Sequence, residues 1–332
     1  MSHEIETCFY ANEVPWHGFG TYVGDNPVDS KHAIIAAGLD WEVETKPLYF
    51  DEEINQCVNL QDGKPLTQQH SVPNHKAMVR TDNNSVLGVV GNRYKPVQNS
   101  EAFEFLDDLV DAGQMKYHTA GSLRGGKNIW LLGKIGDMTI VPKDQVDKYL
   151  LLYNSHDGSG ALRCFFTTVR VVCANTAAIA LREGKNTGIC LRHTSKVHDH
   201  LVEGKEILQL AHKEFDQFEM FAKHMANTKM TDQMMVQLAE RLFPDPPAHI
   251  KTERHLKKRE VLTEMFEFGT GQEILGVRGT GWAAYNALTE FANYYQPARG
   301  NDAQQRRFES SVFMPKGSLI ERGTQELLKI AA

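Results

Sequence analysis

The chain has 332 residues, of which 41% are hydrophobic, and a formal net charge of −6. This length and composition allow a sizeable core and exclude a chain dominated by disorder. The sequence pI of about 6.2 excludes an argument for nucleic-acid binding from overall charge, so any such argument must rest on local features.

The cysteines and the N-terminus indicate a cytoplasmic protein. The five cysteines form an odd number without a C-x-x-C pair, which disfavours both a disulfide framework and a cysteine-rich zinc site. The first residues, MSHEIETCFY, lack the apolar run of a signal peptide, and no run of roughly 18 apolar residues occurs anywhere. We therefore expect a reducing compartment and no membrane partner.

Residues 1–75 are predicted to form an N-terminal arm with small strands. Proline and glycine turn signals are frequent there, a helical pattern lies near residues 32–37, and apolar and polar residues alternate over 41–50. Alternation of this kind is typical of a strand.

Residues 76–200 are predicted to form an α+β core. Strands are expected at 76–80 and 86–90, and a helix capped by Asn99 is expected to run through Leu109, because its apolar residues recur at helical spacing. An alanine-rich helix is expected at 177–183.

Two hairpins are predicted between these helices. The first pairs residues 116–123 with 128–135, and the second pairs 148–155 with 161–172. The second is the stronger prediction because its connection contains Asp157-Gly158, a preferred turn pair in which glycine accepts a positive φ.

Residues 201–332 are predicted to be mostly helical. The expected helices span 202–225, 231–243, 252–268, 281–295, 302–310 and 319–330. The predicted fold class is therefore α+β, with a central antiparallel, hairpin-rich sheet flanked by helices and followed by a helical C-terminal region.

Charge is unevenly distributed along the chain. From Asp111 to His200 there are 12 Lys and Arg against seven Asp and Glu, an excess of five positive charges in a protein of net −6. Such a separation can focus a local field whatever the overall charge is. This segment points to a polyanion as the partner, whereas the other interpretation is a solvated sheet neutralised by the acidic remainder.

The expected nucleic-acid contacts lie on the hairpins. Basic side chains would neutralise phosphates, and an aromatic such as Tyr153 or Phe165 would support or stack on bases. Strand alternation places Arg163 and Arg170 on opposite faces, so both serve one flat surface only if a bulge intervenes. The basic candidates are Arg124, Lys127, Lys134, Arg163 and Arg170.

Three motifs with possible chemistry have simpler interpretations. Residues 121–127 match a phosphate-binding P-loop up to Lys127, but Asn128 replaces the required Ser or Thr and a strand follows. Cys190, His193, His198 and His200 have no familiar zinc spacing, so surface histidines are the default. Residues 154–157 resemble a catalytic triad only in composition, because triad members are brought together by the fold. We expect no enzyme activity, metal or cofactor.

Several runs of sequence resemble a phage- and plasmid-associated family built on domain of unknown function 932. They are PWHGFGT (15–21), YKPVQNSEAF (94–103), AGSLRGG (120–126), RVVCANT (170–176), RHT (192–194) and NYY (293–295). The resemblance covers nearly the whole chain and implies a role in genome maintenance in a bacterial host.

A weaker resemblance, in element order alone, is to the core of Rad52-type single-strand annealing proteins. It implies binding of single-stranded DNA by a homo-oligomeric ring or filament, in which a basic groove holds the DNA backbone and leaves the bases free to pair. The alternative is a protein-interaction module that inhibits or redirects a host factor through its acidic helical half.

Overall fold

A computed structural model provides the structure of the chain. It describes residues 5–11, 20–24, 29–58, 65–170, 175–178, 188–194, 206–250, 252–297 and 317–331. These ranges form two sheets, two helices that lie between strands in sequence, and a set of helices that follows the last strand. The α+β fold class predicted from the sequence is confirmed.

The larger sheet has eight strands in the order β10-β9-β8-β7-β6-β1-β2, with β11 also paired to β9. Neighbours are antiparallel except for β1 and β2, which are parallel. The strands are β1 Ile5–Tyr10, β2 Thr21–Tyr22, β6 Lys116–Leu123, β7 Asn128–Val141, β8 Asp144–Ser155, β9 Leu162–Arg170, β10 Asn175–Ala178 and β11 Gly188–Leu191.

The smaller sheet is an antiparallel meander of three strands, which are β3 Val43–Val58, β4 Pro65–Arg80 and β5 Val86–Gly91. It meets the larger sheet by direct backbone contact. A Cβ atom at Gly88 would stand 2.6 Å from the carbonyl oxygen of Asp157, in the turn between β8 and β9. Because real side chains do not approach this closely, glycine is required where the sheets meet.

The helices are α1 Ser30–Ala36, α2 Asn99–Asp111, α3 Glu206–Asn227, α4 Asp232–Leu242, α5 Arg254–Phe268, α6 Gly281–Glu290 and α7 Leu319–Ala331, and a π-helical turn, Phe291–Tyr295, extends α6. Side chains of Asp29, Thr231 and Thr280 cap the N-termini of α1, α4 and α6. None of the described helices has both the length and the apolar character needed to cross a membrane.

One face of the larger sheet belongs to the main hydrophobic core. This core runs from Phe9 in β1 to Leu327 in α7 and includes the buried faces of α2 and the C-terminal helices. Tyr149, Leu151 and Tyr153 alternate with the core residues of β8, so they share the opposite face and pack there with Trp130 and Leu132. The division at residues 75 and 200 stays a prediction, since the core draws on all three segments.

The chain bends where the sequence predicted turns. Gly125, Gly126 and Gly158 all have positive φ, at 66°, 88° and 80°. Arg124 also adopts a positive φ of 55°, a conformation that is uncommon for a residue with a side chain. Both predicted hairpins are therefore present, as β6–β7 and β8–β9.

The prediction of a helix over 177–183 is wrong at its start. Residues Asn175–Ala178 form β10 and pair with β9 from Arg170 to Thr167. Pairing with an existing strand outweighs the weak helical preference of a short alanine-rich run. Residues 179–183 and the helix predicted over 302–310 lie outside the described residues.

Candidate functional site: a basic groove beside two hairpin turns

Both hairpin turns lie at the same end of the larger sheet, which we call the turn end. Residues 124–127 connect β6 to β7, residues 156–161 connect β8 to β9, and the backbone N–H of His156 donates to the carbonyl of Lys127 at 2.8 Å. Arg124, Lys127 and Arg163 are therefore brought to one end of the sheet. Arg163 stands beside Cys190 of β11.

Two other predicted contacts lie away from the turn end. Lys134 pairs with Tyr149 and Arg170 with Val146. At the usual rise per residue, Lys134 lies about 20 Å and Arg170 about 27 Å along the strand from its turn-end residue. Lys134 donates to Asp147, a carboxylate with 4% exposure, at 2.7 Å, so its charge is neutralised within the protein. The side chain of Arg170 lies outside the described part, and its backbone continues β9 without a bulge.

The two aromatic candidates are not presented to a ligand. Tyr153 is 8% exposed and Phe165 is 4% exposed. Tyr153 packs in the cluster on the second face of the larger sheet. Direct stacking on bases would require these rings to become exposed, so their support of or stacking on bases stays a prediction.

An open groove of about 1020 Å³ lies next to the turn end. One wall comes from the segment after β5 and the other from the segment after β11. Its principal lining residues are Asn74, Arg93, Tyr94, Lys95, Arg192 and His193. We call it the basic groove, because three cationic side chains line it and none of its described lining residues is acidic.

Hydrogen bonds and ring stacking join the two walls of the basic groove. The backbone N–H of Lys95 donates to the carbonyl of His193 at 3.1 Å, and Nδ1 of His193 donates back to the carbonyl of Lys95 at 3.0 Å. The rings of Tyr94 and His193 stack with centroids 4.6 Å apart. The Tyr94 hydroxyl also donates to the carbonyl of Ser155 at 2.6 Å, which ties the groove to the β8–β9 turn.

The cations of the basic groove are not neutralised by the described protein. Arg93, Lys95 and Arg192 are exposed, and no described carboxylate lies within ion-pair distance of them. Behind them the ammonium of Lys76 donates to the carbonyl of Tyr94 at 2.9 Å. Burial and the nearby charge of Lys95 lower the pKa of Lys76, so the cations repel one another and an anion would relieve that repulsion.

A buried polar network supports the β8–β9 turn. Nε2 of His156 donates to the Asn99 side-chain carbonyl at 2.9 Å, while the Asn99 amide donates to the carbonyls of Leu39 and Trp41 at 2.9 and 3.1 Å. His156 and Asn99 are 0% and 2% exposed. These bonds attach α2 and the segment before β3 to the turn end.

His156 should make the protein sensitive to acid. Burial, with a smaller effect of nearby His193, lowers the pKa of His156 to about 3, whereas an unfolded histidine titrates near about 6.5. Below that value the unfolded chain binds a proton that the folded chain does not, so stability falls by about 1.4 kcal/mol per pH unit between the two pKa values. Above a pH of about 6.5, His156 makes no pH-dependent contribution to the stability of the fold.

The measurement is urea unfolding at pH 7.5 and pH 5.0. His156→Gln keeps a donor for Asn99, and its loss of stability between the two pH values should be smaller than that of the wild type by about 2 kcal/mol. The exposed His249 provides the control, because His249→Gln should keep the wild-type loss. An equal loss in all three proteins would contradict the assignment.

Comparison with known proteins places the chain in a family. A family model described as a domain of unknown function, DUF932, matches residues 86–312. The chain belongs to the DUF932 family. No curated protein and no solved structure matches it. The matched region of this DUF932 protein includes the turn end and most of the basic groove.

The structure of this DUF932 chain shows the surroundings of the three motifs with possible chemistry. Residues 121–127 lead from β6 into a turn and then into β7, so the P-loop context is absent. The Ser155 hydroxyl donates to Asp157 at 2.6 Å while His156 bonds Asn99, so Ser155 and His156 do not form a nucleophile–base pair. The described residues contain no cluster of three or more His, Cys, Asp or Glu suited to a metal. His198 and His200 lie outside them, as do residues 15–19 of the run PWHGFGT.

Sequence reasoning missed most of the basic groove. Arg93 and Lys95 lie before the basic segment 111–200, and Arg192 is one of its twelve cations but not one of the predicted phosphate contacts. A signal was present, since the runs that begin at Tyr94 and Arg192 both carry the DUF932 resemblance. The sequence does not show that these runs, which are about 100 residues apart, face each other across one groove.

Proposed function

We propose that this protein binds single-stranded nucleic acid at the basic groove and the adjacent turn end. The observation that carries the proposal is the set of exposed cations around an open groove in which no described lining residue is acidic. Phosphate contacts by Lys and Arg supply most of the sequence-independent affinity of such proteins. Lys127 and Arg163 at the turn end extend the positive surface beyond the groove.

The surface favours contact with the phosphate backbone over contact with bases. Tyr94 is the aromatic residue in the groove, and its ring already stacks on His193, while Tyr153 and Phe165 are buried. A strand held by its phosphates keeps its bases free to pair. We accordingly propose strand annealing in recombination or replication by a phage- or plasmid-encoded homo-oligomer as the biological role, without nucleotide hydrolysis.

The test is fluorescence anisotropy with a labelled single-stranded oligonucleotide across a salt series. Replacing Arg93, Lys95 and Arg192 together with glutamine should weaken binding and flatten the plot of log affinity against log salt by about 2, since each phosphate contact on a single strand contributes about 0.7 to that slope. An unchanged slope would remove the basic groove from the binding surface.

A matched control distinguishes the effect of charge in the basic groove from the effect of the net charge of the protein. Lys31, Lys229 and Lys257 are exposed and lie outside the groove, so changing all three to glutamine alters the net charge equally. This control should keep the wild-type slope. Arg124→Gln with Lys127→Gln tests the hairpin tip separately, and we expect a smaller loss of slope than for the groove variant.

A second candidate function, protein interaction, is favoured by one observation. An open groove of about 450 Å³ between α4 and α5 has acidic and apolar lining residues, including Asp232, Val236, Glu264 and Phe268. This composition suits a basic, apolar segment of a partner. The function would become the leading one if neither single- nor double-stranded oligonucleotides bound at low salt.

A further inference from the structure

The basic groove carries more positive charge than a single phosphodiester requires. Arg93, Lys95 and Arg192 line it, and Lys76 stands behind the carbonyl of Tyr94. A phosphodiester in a nucleic-acid strand has one negative charge, whereas a phosphomonoester has between one and two at neutral pH. The groove therefore matches the more highly charged group.

His193 adds a buried group with unused hydrogen-bonding capacity. It is 6% exposed, and its Nε2 has no hydrogen-bond partner among the described residues. Because a carbonyl only accepts, the bond to Lys95 requires that Nδ1 carry the proton. Nε2 is then an unsatisfied acceptor in the neutral ring and a donor in the protonated ring.

An anion in the groove would favour the protonated ring. Burial lowers the pKa of His193, and a nearby negative charge acts in the opposite direction. The charged and titratable groups around the ring are Tyr94, which stacks on it, Lys95, Arg93, Arg192 and, from the β8–β9 turn, His156. With the ring protonated, Nε2 would donate to an anion oxygen, and the unsatisfied atom would gain its partner.

We propose that the basic groove is a phosphomonoester site, in which Arg93, Lys95 and Arg192 provide the charge and Nε2 of His193 donates to a phosphate oxygen. This proposal deepens the proposed function and rests on it for one source of the group, the phosphorylated end of a nucleic-acid strand. A free phosphomonoester such as a nucleoside monophosphate is the other source with the same chemistry.

The experiment compares single-stranded oligonucleotides of one sequence that end in a 5′-phosphate, a 3′-phosphate or hydroxyls only, with adenosine monophosphate and inorganic phosphate as competitors. At least tenfold tighter binding of one phosphorylated form by the wild-type protein is the expected result, and it identifies the preferred end. Arg192→Gln, an exposed change, and His193→Phe, which keeps a ring to stack on Tyr94, should each remove most of this preference. Arg192→Gln should also weaken binding of hydroxyl-ended strands by the one phosphate contact that it removes, and the preference is therefore measured as the ratio of the two affinities in each variant.

The outcomes for the two proposals are distinguishable. Equal binding of all three oligonucleotides, without competition by either phosphate compound, would overturn the phosphomonoester site and leave nucleic-acid binding intact. Binding of adenosine monophosphate without any oligonucleotide would overturn the proposed function and support a small-molecule site. If His193→Phe does not fold, as circular dichroism would show, Arg192→Gln alone decides the matter, and a full preference in that variant overturns the inference.

Discussion

Replacing Trp282 with alanine should destabilise the folded protein by about 4 kcal/mol, within the range for large aromatic side chains removed from a core. Trp282 is 1% exposed, stacks on Tyr285 with centroids 5.4 Å apart, and meets the edge of Phe218. Its indole N–H also donates to the buried carboxylate of Asp144 at 2.8 Å. The change therefore removes packing in the helical region and a bond from α6 to the first residue of β8.

Urea unfolding measures this effect, with two variants for comparison. Trp282→Phe keeps an aromatic ring and loses the donor to Asp144, so it should cost about 1 to 3 kcal/mol. Phe268→Ala removes an aromatic side chain that is 72% exposed, and a cost below about 0.5 kcal/mol is expected. If Trp282→Ala unfolds at the same urea concentration as Phe268→Ala, the packing described for α6 is wrong.

Replacing Arg80 with methionine should destabilise the protein by about 3 kcal/mol, because removing one partner leaves the others unpaired. The guanidinium is 4% exposed, donates to both carboxylate oxygens of Glu6 at 2.8 Å and to Asp82 at 2.7 Å, and lies 4.3 Å from the ring centroid of Trp41. It also donates to the carbonyl of Gly125 at 3.2 Å. One side chain thus connects the smaller sheet, β1 and the β6–β7 turn.

The control for Arg80 is an exposed ion pair of similar chemistry. Arg278 is 65% exposed and lies 3.5 Å from Glu267, so Arg278→Met should cost less than about 1 kcal/mol. Both variants are compared with the wild type by urea unfolding at neutral pH. Similar midpoints for the two variants would show that Arg80 does not hold the sheets together.

Local patterns in the sequence were sufficient to predict most of the elements. Asp157-Gly158 and Gly125-Gly126 predicted the two hairpins because only a few residue types accept positive φ in such turns. The apolar spacing around Phe103 and Leu106 predicted α2, which the structure places at Asn99–Asp111. These signals act over a few residues and need no knowledge of the remaining chain.

Long-range pairing explains what could not be predicted. Residues 175–178 have a composition that suits a helix, yet β9 provides an edge with which they pair as a strand. Tyr153 lies on the second face of the larger sheet, and burial of that face depends on distant segments, since Cys8 of β1 packs in the same cluster. The basic groove forms because Lys95 and His193 contact each other. No local sequence pattern predicts that contact.

The pairing of β1 with β6 has a consequence for synthesis of the chain. Thr7 of β1 and Ser122 of β6 have hydroxyl oxygens 3.2 Å apart, although 115 positions separate them in sequence. At a translation rate of roughly 5 to 20 residues per second, about 6 to 23 s pass before the ribosome has added the partner strand. During that interval β1 is an unpaired strand with apolar residues such as Phe9, and a nascent chain stalled before β6 would depend on chaperones to prevent aggregation.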